Sequence, residues 1–197
     1  NEKYLIFWKE FGKVLKEGLF EDPRHNEKIL DLSLFDSTNS AGEPTDLDGY
    51  IERMKEGQDT IYYLTGKTRA GVEASPHLEA FKKKGYEVLL LSDSVDEVWV
   101  QSVQTHKEKK FQSAAKGTVE LGTEEERKEE EENLKEKEDS FKDLMSLLQK
   151  KLDEHVKEVR LSTRLTDSPA CLVGDAEDLS PQLEAMLRAS GQEMPDV

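Results

Sequence analysis

Thr65-Gly66-Lys67-Thr68 is the short run in this sequence that most resembles phosphate chemistry. A phosphate-binding loop requires G-x-x-x-x-G-K-[ST], because glycine backbone amides must wrap the phosphates that the lysine then reaches. The residue standing where the first glycine should be is Ile61, inside an apolar run, so the stretch reads as a polar turn after a buried strand. The histidines His25, His77, His106 and His155 lie far apart, with no i, i+4 pair and no cysteine at zinc-ligand spacing, so they nominate no metal site. With 43 Asp and Glu residues, paired carboxylates arise by chance, and spacing alone singles out no general acid or base. Cys171, between Ala170 and Leu172, reads as a small buried hydrophobe rather than a reactive thiol. Nothing matches a nucleophile elbow or a dinucleotide fingerprint.

Charge and composition narrow the classes further. A formal net charge of −15 argues against binding a phosphate backbone, which needs clustered Lys and Arg to displace counterions. A single cysteine excludes an intrachain disulfide and fits a reducing compartment, so a cytoplasmic location is expected. No segment approaches the roughly 20 apolar residues of a membrane-spanning helix, and none has the form of a signal peptide. At 197 residues the chain has room for one large domain or two small ones. It opens at Asn1 within a helical pattern, which reads as an excised fragment.

The elements that would position any site follow from periodicity. Leu5, Trp8, Phe11, Leu15 and Leu19 recur at intervals of three and four, predicting a helix from Glu2 to Leu19 with one packed face. A second helix is expected from Arg24 to Leu32, then a loop, then a helix from Asp46 to about Lys55 capped by Thr45. Ile61-Tyr62-Tyr63-Leu64 and Val88-Leu89-Leu90-Leu91 flank a helical stretch ended by Gly85, a β-α-β unit whose unalternating strands imply helices on both faces. Ser92 or Ser94 should cap a helix running through Val103, and Phe111–Ala114 reads as an edge strand. Glu124–Asp139 is almost wholly charged, with Leu134 its only aliphatic, and reads as a solvated helix or linker. From Phe141 aliphatics return at helical spacing and start a second packing unit. Val156–Leu161 and Ala170–Val173 read as strands, and Asp178 to about Ser190 as an amphipathic helix.

The features left for function are apolar. Leu179, Leu183, Met186 and Leu187 share one face of the last helix, which suits either a core or an adaptable binding surface. In Val98-Trp99-Val100 three bulky residues in succession cannot all enter one core from a helix, so at least one is peripheral, and an exposed Trp is a strong interface anchor.

Phe7-Trp8-Lys9-Glu10-Phe11-Gly12, Tyr50-Ile51-Glu52-Arg53-Met54-Lys55-Glu56-Gly57-Gln58 before Ile61-Tyr62-Tyr63, Ser75-Pro76-His77-Leu78-Glu79 and Val159-Arg160-Leu161-Ser162-Thr163-Arg164-Leu165-Thr166-Asp167-Ser168-Pro169-Ala170 occur in an order that closely resembles the heat-shock protein 90 chaperone family, in its bacterial high-temperature protein G branch. The resemblance implies an α/β fold: residues 1–33 as helical connector of the middle domain and 34–116 as its small α-β-α sandwich. Residues 117–139 would be a charged linker or helix, and 140–197 an α+β first part of the carboxy-terminal domain without its dimerisation helices. In that family an amino-terminal domain binds ATP with Mg, and a loop of the larger middle subdomain supplies an Arg to the γ-phosphate. Neither falls within this sequence, so the chain is expected to be a non-catalytic fragment with no cofactor of its own, drawn from a homodimeric, ATP-dependent stress-response chaperone. Its implied partners are partly folded client proteins and other domains of the same protein. Carried over by position, the client-binding residues are Val98, Trp99 and Gln101 on one helix and Leu179, Leu183, Met186 and Leu187 on the other. The residues also leave open an α/β small-molecule enzyme, hinted at by Gly66-Lys67-Thr68, and a purely structural interdomain module.

Overall fold

The computed structural model describes residues 2–39, 42–176, 178–180, 183–184 and 187–188. Helix α1 (Glu2–Glu21) buries Gly12, Lys16 and Leu19, and the Trp8 indole lies so close over Gly12 that a Cβ there would sit 2.7 Å from the ring. The buried line therefore runs 8-12-16-19 rather than through Phe11, which is exposed together with Phe7 and Val14. Tyr4, Phe7 and Phe11 stack along that outer side, with centroids 5.8 Å and 5.5 Å apart, so α1 is apolar on two faces. Asp22 caps a short 3-10 turn at Pro23–His25 that leads into α2 (Asn26–Leu32).

A five-stranded sheet forms the centre: β1 (Asp36–Ser37), β2 (Thr60–Thr65), β3 (Leu89–Leu91), β4 (Thr105–His106) and β5 (Lys109–Ser113), in the order β1-β3-β2-β5-β4. Strand β2 runs parallel to both β3 and β5, while the short edge strands β1 and β4 are antiparallel. The expected β-α-β unit is β2, then α4 (Arg69–Glu73) and α5 (Glu79–Lys84), then β3. Gly85 adopts the left-handed conformation at the end of α5, with φ 68°. The strands lack polar alternation because both faces are covered. Ile61, Tyr63, Leu89 and Leu91 join Leu19, Leu30, Tyr50 and Trp99 on one side, and Tyr62, Leu64 and Leu90 join Val72, Leu78 and Phe81 on the other. The result is a mixed α/β fold in three layers.

Several expectations shift. Helix α3 (Leu47–Glu52) is capped by Asp46, whose carboxylate accepts from Gly49 N at 2.8 Å. Thr45 is already engaged, since its backbone pairs with Phe35 and its hydroxyl accepts from Arg53. Helix α6 (Asp96–Ser102) has no serine cap; Asp96 itself reaches back to accept from Asp93 N at 3.0 Å. Strand β5 is not an edge, because the hairpin through Lys107 and Glu108 adds β4 outside it. The charged stretch is one helix with the aliphatic stretch after it: α7 spans Glu124–Leu152 without a break, starts in a Thr123–Glu126 capping box and buries no residue. Val156–Leu161 and Ala170–Val173 do not form strands. A strand needs a partner ladder, and here Val159 N donates instead to the Gln149 side chain while the Ala170–Val173 segment ends in a single bridge, Gly174 to Lys116.

Candidate functional site

Helix α6 sorts its residues by direction. Trp99 is fully buried, at 0% exposure, between the rings of Phe35 and Phe111, and its indole N–H donates to Asp96 Oδ1 at 2.8 Å. Trp99 therefore presents no surface to a partner, which corrects the expectation drawn from its sequence position. Its neighbour Val98 is half-buried, and Gln101, one turn along, is exposed. These two occupy the outer face that a helix carrying Trp99 and Val100 inward must turn away.

The second nominated region reaches the sheet through a strap of irregular backbone, residues 156–176 and 178–180. Arg164 donates to the carbonyls of Ala114, at 2.8 Å, and of Gly117, and burial lowers its pKa. The Glu79 carboxylate of α5 accepts from the backbone amides of Thr166, Asp167 and Ser168 and from the Ser168 hydroxyl. That hydroxyl first, then the amides of Asp167 and Thr166, hold its carboxyl down to about 2. Gly117 N donates to Gly174 O at 2.9 Å, and the Ser180 hydroxyl to Glu97 of α6 at 2.5 Å.

Between strap and sheet lies a cleft of about 910 Å³ at the carboxyl ends of β2 and β5, the end at which parallel α/β sheets place their ligand sites. Leu64, Val72, Leu172 and Leu179 give it apolar walls, and Lys67, Lys116, Asp178 and Glu184 supply charge. Leu179 is half-buried in this wall, Leu183 is buried and Leu187 half-buried; Met186 lies outside the described residues. Sequence reasoning missed Leu172, which is 78% exposed in coil, and the pair Glu97 and Ser180 that brings the two regions together. No local pattern announces a hydrogen bond between residues 83 apart.

Gly66-Lys67-Thr68 lines the same cleft, but its glycine amide is occupied. Gly66 N donates to Leu91 O at 3.0 Å, and the Thr68 hydroxyl accepts from Gly71 N at 3.1 Å as a helix cap. A phosphate seeking the Gly66 amide would have to displace its bond to the sheet. Cys171 is a half-buried free thiol whose pKa burial raises, which keeps it protonated and unreactive. Among the described residues no cluster of His, Cys, Asp and Glu could hold a metal ion, and no helix is long and apolar enough to cross a membrane.

This is a three-layer α/β module whose sheet supports an apolar cleft, closed by a strap from the carboxyl-terminal part. The chain belongs to the Hsp90 protein family, whose sequence model matches residues 1–196. It is 58% identical over 195 residues to chaperone protein HtpG of Nocardia farcinica, covering 99% of this chain and 30% of that protein. Chaperone protein HtpG of Mycobacterium tuberculosis is 56% identical over 194 residues, again 30% of the relative. Among solved structures, the middle domain of a putative Plasmodium falciparum heat shock protein superposes with a TM-score of 0.55 at 39% identity, covering 58% of this chain and 47% of that one. The chain thus spans about a third of the length of these curated relatives.

Proposed function

We propose that this chain is the part of an ATP-dependent chaperone that holds partly folded client proteins, through an apolar surface running from the outer face of α6 into the cleft. The observation that carries the reading is the Ser180–Glu97 hydrogen bond, which joins the two elements nominated for client contact. Val98 and Gln101 supply the α6 side, and Leu172 and Leu179 the cleft side. A client buries apolar area on these residues, while the net charge of −15 favours basic clients and disfavours nucleic acid. Trp99 acts from below, as the packed residue that fixes the direction of α6.

ATP hydrolysis belongs, in this reading, to parts of the longer protein that this chain does not include, as does the homodimer contact, and the chaperone works in the cytoplasm. The residues 34–116 correspond to a middle-domain subunit of the fold, and α7 with the strap to the passage into the next domain. Titrating a destabilised, basic client onto the chain tests the reading. Val98→Arg with Leu179→Ser should weaken binding at least tenfold while melting shifts little. Unchanged affinity would leave only a structural interdomain role, and saturable ATP binding to the chain would overturn the division of labour.

A further inference from the structure

The first turn of α6 carries two adjacent carboxylates that are both buried, Asp96 at 1% exposure and Glu97 at 4%. They serve opposite ends of the chain. Asp96 Oδ1 accepts from Lys16 Nζ of α1 at 2.6 Å, and Lys16, itself buried, also pairs with Asp93 at 2.7 Å and lies 5.8 Å over the Phe35 ring. Glu97 Oε2 accepts from the Ser180 hydroxyl at 2.5 Å, and the same Ser180 oxygen accepts from Leu183 N at 3.1 Å. Glu97 therefore holds the hydroxyl that also receives the Leu183 amide.

The energetics make this arrangement stiff. Glu97 Oε1 has no hydrogen-bond partner among the described residues, so the Ser180 hydroxyl is the donor on which this buried carboxylate depends. Lys116, in the cleft wall, is the cation that interacts with it electrostatically. Asp96 likewise relies on Lys16, because a buried carboxylate deprived of its cation is strongly disfavoured. Both carboxylates sit on one short helix, so a displacement that breaks one anchor tilts the other.

We propose that the Asp96-Glu97 turn is a two-sided latch that couples α1 to the mouth of the cleft. Movement of α1 then sets how tightly the strap closes over the cleft. This rests on the client-binding reading for what the cleft is used for, not for the coupling itself.

Hydrogen–deuterium exchange on the whole chain, without client, tests the coupling. The pair K16M/D96N removes both charges together, leaving no unpaired buried ion. It should raise exchange at the amides of residues 172–176 about tenfold. By reciprocity, S180A should raise exchange in α1 around Lys16, and S180T, which keeps the hydroxyl, should restore it. Wild-type exchange at 172–176 in a folded K16M/D96N chain would overturn the latch. If that variant does not fold, S180A decides alone: altered α1 exchange supports the latch, and unaltered α1 exchange overturns it. A client affinity that survives V98R would sink the functional reading yet leave these exchange results standing.

Discussion

Residues 35–115 hold their shape by filling space: two apolar clusters, one on each face of the sheet, withdraw the large apolar side chains from water. The described residues of the strap lie against that sheet with few buried apolar residues, attached through Arg164, the Glu79 carboxylate, the Lys116–Gly174 bridge and the Ser180–Glu97 bond. Apolar packing is cooperative and insensitive to pH. Polar attachment is directional, separable contact by contact, and open to titration. A surface that must admit and release partners is better bounded by the second kind than the first.

The comparison breaks most visibly at Trp99. Trp99→Ala should cost about 3–5 kcal/mol in chemical unfolding and lower the melting temperature of the sheet and everything packed on it. A small loss would mean that α6 is held by its polar anchors instead. Arg164→Met should act on the strap alone, by about 2 kcal/mol of local opening, because it leaves the carbonyls of Ala114 and Gly117 without donors. Exchange at 160–176 should quicken while the sheet amides keep their rates; parallel acceleration in both would erase the distinction.

Acid should separate the regions next. The Glu79 carboxyl is held at about 2, below its ordinary value of 4.5, so the contribution of its bonds is complete above 4.5 and is lost as pH falls from there through about 2. Asp175, lowered by Lys157, works in the same direction. Limited proteolysis in that window should cut the strap while Trp99 keeps its native near-ultraviolet signal, and Glu79→Gln should make cleavage much less pH-dependent. The smallest effect on stability belongs to Val98→Arg, expected within about 0.5 kcal/mol of wild type, against its large effect on client affinity.

The sheet was legible because local rules and burial agree there. Apolar runs at Ile61–Leu64 and Val88–Leu91, separated by a helix ending in Gly85, leave little alternative to a covered parallel pair. Hairpin β4–β5 was missed because its turn uses Lys107 and Glu108, both with positive φ, where glycine or asparagine would have signalled it. Lys16 was illegible for a different reason. A lysine in a charged helix reads as solvent-facing until its partner Asp96, 80 residues away, is in place. The direction of Trp99 likewise depends on Phe35 and Phe111, and the strap's lack of strands on which other segments lie beside it. What sequence periodicity conveys is which face is apolar; which long-range group satisfies a buried charge is a property of the assembled fold.

Helix α7, uninterrupted over Glu124–Leu152, has a mechanical consequence. At 1.5 Å per residue it is a rod of about 43 Å, and its first turns are pinned to α5 by the Lys84–Glu130 pair at 2.7 Å. Glu130 is a fulcrum and the Leu152 end a lever tip about 33 Å away: pivoting by about 10° sweeps the tip through roughly 6 Å. The chain doubles back from that tip directly into the strap, so a small torque near Thr123 becomes tension on the segment that closes the cleft.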